Sequence, residues 1–435
     1  MLTNSQRLAH ATCLVEPLER RTLMTHTAGG DVVLSWNEIA LEALRFDRTY
    51  AGPVRAGRNM AIVQAAVYDA VNGVEGTHEP FFVFRTAPAG ADAEAAAASA
   101  AARTLTKLYP KQKRFFAGEL SSSLADIPDG RAEKAGVKYG RYVADRICAW
   151  RRRDGSARDA IYEAGNRPGD WQPTPPQFLE TPLHAGAGDI EPFAVSDVDD
   201  FVPPSPPRLD SAEYATAYNE VYDLGDKNSP FRTEDQTEIG LFWAYDRRSL
   251  GTPLALYNEV LQSVAAKQGN SMSENARLFA TANVAMADAG ITAWACKYVD
   301  NFWRPVTGIH DGDLDGNAAT VADRDWEPLG SPNDDGGEPF TPPFPAYVSG
   351  HSTFGAALFR SLENFYGTDA VSFELSSDEL PGVSRSYSSF SQAAAENGDS
   401  RIFLGVHWRF DDTFGQRAGR EVADAVYDTY FTPVA

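Results

Sequence analysis

The sequence predicts an all-α fold, built of two four-helix-bundle-like halves that are joined by long irregular connections. Apolar residues recur at helical spacing, as at Met60, Val63, Val67 and Val71. Strand-like alternation is scarce, and neither βα alternation nor a repeat of roughly 20–50 residues is evident. The stretch 167–207 holds ten prolines, which exclude a long helix or a central strand there because proline lacks a backbone donor.

Each predicted helix rests on its own local signal. Ser35, followed three residues later by Glu38, predicts a capping box at a helix start, since the two side chains satisfy each other's backbone donors. Thr233 and Gln236 predict a second capping box ahead of an apolar run. Apolar periodicity or a high alanine content predicts further helices over residues 91–108, 112–127, 131–151, 254–268, 273–303, 346–366 and 411–430.

Irregular stretches divide the chain. Residues 1–30 lack periodicity and are predicted to be a disordered N-terminal tail, followed by an N-terminal helical half over 31–210 and a C-terminal half over 211–435. The proline-rich stretch 167–207 is either an extended crossover on the surface or a boundary between the halves. A second irregular stretch, 311–345, is rich in Gly, Asp and Pro and ends just before a chemical motif, so we expect it at the rim of a site.

The net charge narrows the classes of partner. The 39 basic and 60 acidic residues give a formal charge of −21, so neither nucleic acid nor an anionic membrane is expected as the main partner. No apolar stretch reaches the ~18–20 residues that span a bilayer. The run Leu8–Leu18 is interrupted by polar residues and makes a poor standard signal peptide. The three cysteines show no paired spacing, so neither a disulfide framework nor a structural zinc site is predicted.

Two cations stand seven residues apart in the segment 297–305. Seven residues make close to two helical turns, so Lys297 and Arg304 are predicted on one face of one helix. Pro305 is predicted to end or kink that helix directly after Arg304. Taken alone, the pair equally fits a solvated basic face.

A Ser-Gly-His run enters an apolar helix at Ser349, Gly350 and His351. The start of a helix offers backbone N–H groups to an anion, and glycine lets an oxyanion approach closely. His351 can exchange a proton near neutral pH. An ordinary N-cap serine followed by a surface histidine gives the same pattern.

Arg401 precedes His407 by six residues, and Asp411 follows His407 by four. A carboxylate at that spacing can orient the imidazole and raise its basicity, although a buried structural His–Asp pair is the plain alternative. The three segments together contain three cations, helix-end donors and two of the chain's seven histidines. Their conjunction predicts an enzyme whose site holds a tetrahedral oxyanion, vanadate or phosphate, among Lys297, Arg304, Arg401, His351 and His407.

The order K-x6-RP, then SGH, then SR-x5-H-x3-D resembles the superfamily of vanadium-dependent haloperoxidases and type 2 phosphatidic acid phosphatases. The resemblance covers residues 30–430 and is strongest over 230–430. Val348 departs from it, because the family usually has proline before Ser-Gly-His. The stretches that resemble the vanadium chloroperoxidases in particular lie at 242–246, 287–291, 302–305, 342–347 and 400–411.

The resemblance implies a role for each motif residue. His407 would be the axial nitrogen ligand of the vanadium in vanadate, or the phosphorylated nucleophile of a phosphatase, and Asp411 would orient it. His351 would be the acid–base residue. Trp294 and Phe344 resemble the aromatic pair that lines the halide side of the pocket, and Asp246 would support an arginine. The equatorial oxygens would be bound by Lys297, Arg304, Ser349, the Gly350 amide and Arg401.

A haloperoxidase is therefore implied, with vanadate as its cofactor and with no haem or flavin. Its substrates would be hydrogen peroxide, a halide and small organic acceptors, and Lys297 would polarise the bound peroxide. Two alternatives stay open: an acid phosphatase that forms a phosphohistidine on the same residues, and a non-catalytic oxyanion-binding protein. By the same resemblance, the protein is expected to be secreted or extracytoplasmic. The resemblance also implies a possible homodimer, because helical bundles of this family often pair.

Overall fold

The computed structural model describes residues 31–47, 52–158 and 160–434, and helices make up most of it. The first part of the chain contains α1 (Val32–Arg45), α2 (Gly52–Glu75), α3 (Ala93–Leu108), α4 (Lys113–Ala125) and α5 (Arg131–Trp150). The second part contains α6 (Ala212–Gly225), α7 (Glu234–Phe242), α8 (Pro253–Gln268), α9 (Met272–Asp300), α10 (Pro305–His310), α11 (Gly350–Tyr366), α12 (Phe390–Phe403) and α13 (Arg409–Thr429).

Among the described residues, strands form one small sheet, the antiparallel hairpin of β1 (Phe373–Ser377) and β2 (Leu380–Tyr387). The all-α prediction is therefore confirmed. Two long connections, over 151–211 and 311–349, are irregular apart from short 3-10 turns and single bridges. Both coincide with the stretches that their prolines and glycines predict to be irregular.

Helix α9 lies at the centre of the fold, where it packs against α2, α11 and α13. It is buried almost without interruption from Asn275 to Trp294. A helix that is buried on all sides carries its polar residues into the protein interior, and Lys297, near its end, is one of them. Asn301 ends the helix, because its left-handed backbone (φ 49°) turns the chain away from the helix axis.

Buried carboxylates fasten extended segments to the two central helices. In α2, Asp69 accepts hydrogen bonds from the three backbone N–H groups of residues 81–83, at 2.8 to 3.0 Å. In α9, Asp288 accepts them from residues 193–195, at 2.6 to 3.1 Å. The second contact holds part of the proline-rich connection against the helix that leads to the predicted site.

Close glycine contacts bring the last helix onto the start of α11. A Cβ atom at Gly419 of α13 would lie 2.2 Å from the Thr353 carbonyl oxygen, so only glycine permits this approach. Gly140 of α5 lies equally close to a carbonyl of α3. The Ser349 N–H also donates to the Asp411 carbonyl over 3.0 Å. The Ser-Gly-His run and the His407 segment are therefore neighbours.

Two predicted helix starts are wrong. Helix α1 begins at Val32 rather than at Ser35, because the Asp31 side chain caps it by accepting two N–H groups of the first turn. Helix α11 begins at Gly350, four residues later than predicted, because Ser349 caps it. The capping box predicted before α7 is confirmed.

The predicted tail over 1–30, which includes Cys13, lies outside the described residues. Within the described part of the chain, Cys148 and Cys296 form no disulfide, and none of its helices combines the length and the hydropathy that a bilayer span requires. The division of the helical halves at residues 210 and 211 stays a prediction.

Candidate active site

A cavity of about 490 Å³ reaches into the interior where the predicted motifs meet. Most of its wall comes from the connections around 177–183 and 333–344 and from the starts of α8 and α11. The expected rim segment therefore does border the site. The predicted site residues that line the cavity are Asp246, Trp294, Phe344, Gly350, His351, Arg401 and His407.

His407 is fully enclosed, and both of its ring nitrogens have partners. Nδ1–H donates to Oδ2 of Asp411 over 2.8 Å, and that oxygen also accepts the Trp408 N–H at 3.0 Å. On the other side, Nη1 of Arg304 lies 3.0 Å from Nε2. Burial, together with repulsion from Arg304 and Lys297, holds the pKa of His407 well below its ordinary value. The imidazole is therefore neutral, with the Nε2 lone pair directed away from Asp411.

His351 stands in the first turn of α11 and lines the cavity. Its Nε2–H donates to the Ala244 carbonyl over 2.8 Å, which leaves the lone pair on Nδ1. Burial, aided by repulsion from Arg401, lowers the pKa of His351 to about 3. A bound anion would offset that repulsion, so proton affinity at this ring depends on what the cavity holds.

Arg401, on α12, is fixed by a carboxylate. Its Nη2 donates to Oδ2 of Asp246 over 2.6 Å, and the Ser331 hydroxyl donates to the same oxygen at 2.5 Å. Burial opposes ionisation of Asp246, yet attraction to Arg401 holds the pKa of that carboxyl below its usual value. Asp246 therefore lies where the sequence places it, beside an arginine.

The prediction that Lys297 and Arg304 share a helix face is wrong. Helix α9 ends before Arg304, which caps α10 in an extended conformation (φ −78°, ψ 156°). The cause is local: Asn301 turns the chain out of the helix, and Pro305 disfavours helical backbone at the residue before it. Arg304 is nonetheless buried beside His407, with Nε donating to the Phe344 carbonyl over 2.8 Å.

Lys297 is buried but is not part of the cavity wall. Its ammonium donates to three carbonyl oxygens, of Pro345, Ala346 and Val348, at 2.9, 2.9 and 2.6 Å. Burial, and after it the charge of Arg304, lowers the pKa of Lys297 well below its ordinary value. In this structure Lys297 holds the loop that leads into Ser349, and its charge reaches the site from behind that loop.

Two aromatic rings close one side of the cavity. The Trp294 and Phe344 rings lie 5.2 Å apart between centroids, tilted by 50°, and both are buried. Gly350 packs against Trp294, where a Cβ atom would come within 3.1 Å of the indole. As the first residue of α11, Gly350 has an N–H group with no acceptor inside the helix. An apolar wall thus borders the helix-end donor.

The charges of the site favour an anion. The buried basic side chains of Lys297, Arg304 and Arg401 outnumber the carboxyl groups of Asp246 and Asp411, so basic groups are in excess here although the whole chain is strongly negative. Burial also raises the pKa of Asp411 to about 7, which increases that excess below neutral pH. Within the described residues, Nη2 of Arg304 and Nε of Arg401 are buried donors without a partner. Such donors fit the oxygens of a tetrahedral oxyanion.

Among the described residues, no cluster of His, Cys, Asp or Glu could hold a bare metal ion. The donors present are arginine and backbone N–H groups, which suit the oxygens of an anion.

Sequence patterns did not reveal every group around the two histidines. The Ala244 carbonyl, the Ser331 hydroxyl, and the side chains of Tyr257 and Asn397, which contact the His351 carbonyl, all come from distant segments. No local spacing signals such contacts.

Comparisons with known proteins indicate the family to which the chain belongs. A family model described as the VCPO second helical-bundle domain matches residues 277–434. The vanadium chloroperoxidase of Curvularia inaequalis is 31% identical over an alignment that covers 87% of this chain and 78% of that protein.

Solved structures are similar over most of the chain. The first bacterial vanadium-dependent iodoperoxidase superposes with a TM-score of 0.78 and 26% identity, covering 93% of this chain and 97% of that one. A holo-type bacterial vanadium-dependent chloroperoxidase shares the fold, with a TM-score of 0.67 and 16% identity, over 89% and 95% of the two chains. The identity to the Curvularia enzyme over most of both chains shows the family: the chain belongs to the vanadium-dependent haloperoxidases.

Proposed function

We propose that the protein catalyses the vanadate-dependent oxidation of a halide by hydrogen peroxide to hypohalous acid. The observation that carries this proposal is the combination of a His407 ring held by Asp411 and unpaired arginine donors with the aromatic pair Trp294 and Phe344. The names of the relatives include both a chloroperoxidase and an iodoperoxidase. For that reason, the substrate is proposed as a halide class rather than one ion.

Residues in the cavity wall and directly behind it would hold the cofactor together. His407 would offer its Nε2 lone pair to vanadium once Nη1 of Arg304, which lies 3.0 Å from Nε2, turns to an oxygen. The unpaired Nη2 of Arg304, Nε of Arg401 and the Gly350 N–H would also donate to the oxygens. Ser349 would add its hydroxyl from the cap of the same helix. When bound, vanadate supplies Lewis-acid activation of hydrogen peroxide.

Proton handling falls to His351. Its Nε2–H is bound to the Ala244 carbonyl, so the free Nδ1 is the atom that accepts a proton from hydrogen peroxide and later returns it to a departing oxygen. Asp411 acts differently, because it keeps the proton of His407 on Nδ1 and thereby keeps Nε2 available to the central atom.

The cavity has room for more than a peroxide and a halide. Its volume of about 490 Å³ lies within the range of sites that bind small organic molecules, roughly 300–1,000 Å³. Apolar side chains, among them Leu179, Leu183 and Phe340, contribute to its wall. A small organic acceptor with an apolar body is therefore the third proposed substrate.

A phosphatase is the second candidate, because phosphate has the charge and tetrahedral shape that the same donors accept. His407 would attack phosphorus through Nε2, and His351 would protonate the leaving alkoxide. The aromatic wall of Trp294 and Phe344 favours the haloperoxidase, since a phosphate ester has no need of a halide-sized apolar pocket. Two buried histidines that line one cavity, each held by its own acceptor, argue against a purely non-catalytic binding protein.

One assay separates these functions. The apoprotein is incubated with orthovanadate, and bromination of a phenolic dye is followed in the presence of peroxide and bromide. Hydrolysis of p-nitrophenyl phosphate is measured in parallel without vanadate. We expect bromination that needs vanadate and is lost in His407→Ala. Hydrolysis without any vanadate-dependent bromination would assign the protein to the phosphatases. If both activities are absent, the non-catalytic oxyanion-binding protein is the remaining hypothesis.

A further inference from the structure

Two buried side chains hold the main chain of His351 from outside the cavity. Tyr257 of α8 and Asn397 of α12 are inaccessible to solvent and do not line the cavity wall. Asn397 Nδ2 donates to the His351 carbonyl over 2.9 Å, and the Tyr257 hydroxyl oxygen lies 3.0 Å from the same carbonyl. Both contacts meet the residue whose ring is the candidate proton carrier.

The two side chains also contact each other, and this makes them interchangeable. The Tyr257 hydroxyl lies 3.0 Å from Asn397 Oδ1 as well as from the His351 carbonyl. A tyrosine hydroxyl has one proton to donate, so it serves one of these two oxygens at a time. If Asn397 is removed, Tyr257 can donate to the carbonyl, and if Tyr257 is removed, Asn397 still does.

A glycine makes this contact possible. Gly355 lies one helical turn after His351, and a Cβ atom there would lie 2.3 Å from Nδ2 of Asn397. It would also lie 3.5 Å from the Tyr257 hydroxyl. Any larger residue at 355 would therefore push Asn397 away from the His351 carbonyl.

Helix α12 links this contact to the oxyanion donors. Asn397 and Arg401 are one turn apart on α12, and Nη1 of Arg401 lies 3.4 Å from the Ala244 carbonyl that accepts the His351 Nε2–H. The helix thus fixes the main chain of His351 through one residue and presents an oxyanion donor through the other.

We propose that Asn397 and Tyr257 are positioning residues, which hold His351 so that Nδ1 faces the oxygens of the site. This inference rests on the proton-handling role given to His351 under the proposed function, and that role is the same in halide oxidation and in ester hydrolysis. Proton transfer needs hydrogen-bond reach, and a displacement of about 1 Å can cost on the order of 100-fold in rate.

A double-mutant cycle tests the redundancy. Tyr257→Phe, Asn397→Ala and the double variant are compared with wild type by kcat, by calorimetric affinity for orthovanadate, and by NMR of ¹⁵N-labelled histidine. Each single variant is expected to lose less than about threefold in kcat, and the double variant about 30-fold or more, because the energies of residues in contact do not add. Orthovanadate affinity is expected to stay within about twofold, since the donors on Arg304 and Arg401 are retained. In the NMR spectrum, the single Nε2–H tautomer of His351 gives way to a mixture only in the double variant.

Asn258→Ala is the matched control. Asn258 is an equally buried amide that pairs with Asn283 at 3.0 and 2.9 Å, away from both histidines. It is expected to lose thermal stability with no change in kcat or in the His351 tautomer. Should the double variant fail to fold, Gly355→Ala combined with Tyr257→Phe replaces it, with lowered kcat and a mixed tautomer expected, because the alanine Cβ at position 355 displaces Asn397 and a phenylalanine at position 257 has no hydroxyl to take its place.

Two results would overturn the proposal. One is a double variant with wild-type kcat and a single His351 tautomer. The other is an Asn258→Ala control that, at an equal loss of thermal stability, loses as much kcat as the double variant. A wild type without either activity would instead refute the proposed function, while the tautomer measurement would still decide whether Asn397 and Tyr257 position the ring.

Discussion

Nδ1 of His407 lies 2.8 Å from Oδ2 of Asp411, and this contact determines what the other ring nitrogen can do. With the proton held on Nδ1, the Nε2 atom keeps its lone pair and can bind a central atom or attack one. The same carboxylate oxygen accepts the Trp408 N–H at 3.0 Å, so the backbone at the start of α13 fixes the carboxylate in turn.

Asp411→Asn is expected to lower kcat about 10–100-fold, as is typical when a residue supporting a metal-ligating histidine is lost. The amide oxygen can still accept a hydrogen bond, but its charge no longer raises the basicity of the ring. Steady-state bromination kinetics measure the effect. Asp412→Asn is the control, because Asp412 contacts Arg409 and Gln416 rather than His407. Equal kcat in the two variants would contradict the role of Asp411.

Arg401→Lys conserves the charge of the site but not its donors. A lysine carries all its protons on one nitrogen, so it cannot pair with Asp246 where Nη2 of Arg401 does, at 2.6 Å, and also donate from the separate position of the unpaired Nε. We expect orthovanadate affinity to fall at least about tenfold, or about 1.4 kcal/mol, with the fold retained. Arg385→Lys, on the surface hairpin, is the charge-matched control. An unchanged affinity would show that charge alone holds the anion.

Phe344→Leu tests the aromatic wall. The smaller side chain opens the face that Phe344 shares with Trp294 at 5.2 Å and admits water to it. The halide KM is expected to rise several-fold while orthovanadate affinity stays unchanged, because the Phe344 carbonyl that binds Arg304 belongs to the backbone. Phe359→Leu, buried elsewhere against Trp243, controls for lost packing. A parallel rise in the orthovanadate Kd would place Phe344 in the oxyanion site instead.

Asp288 gives stability a predictable pH dependence. Burial raises its pKa in the folded protein to about 6, although three backbone N–H groups oppose the shift. Between about pH 4 and pH 6 the folded state therefore binds more protons at this group than the unfolded state, so its contribution to stability falls as pH rises. Asp288→Asn is expected to destabilise the protein by about 1–3 kcal/mol.

Urea unfolding across this pH range measures the effect. The gap in unfolding free energy between wild type and Asp288→Asn should narrow from about pH 4 to pH 6 and stay constant above it. A gap that widens with rising pH would mean that the carboxyl is ionised throughout and that its pKa is lowered by the fold.

Sequence patterns predict those features that depend on residues close together in the chain. The spacing of His407 and Asp411 placed a carboxylate beside the imidazole, and the structure has it at 2.8 Å. Ser349 was expected at a helix start, and it caps α11. The periodicity of apolar residues predicts the all-α class, and the structure buries these residues in helices such as α2 and α9.

Predictions failed where the backbone leaves a helix or where distant segments meet. The helix predicted to reach Arg304 ends earlier, because Asn301 adopts a left-handed backbone conformation that its sequence neighbours do not signal. Pro305 indicates a break in the helix, but not its position. Lys297 donates to three carbonyls about 50 residues further along the chain, and no local spacing indicates these partners. The partners of His351 are more distant in sequence still, at Ala244 and Tyr257.

Every role assigned to the site residues depends on the cavity holding one tetrahedral oxyanion, with Nε2 of His407 on its central atom. Calorimetric titration of the apoprotein with orthovanadate, in wild type and in His407→Ala, tests this claim. We predict one orthovanadate per chain, displaced by phosphate, and a Kd at least about tenfold higher in the variant. A wild type that binds no orthovanadate, or a variant that binds it with the same Kd, would contradict the claim.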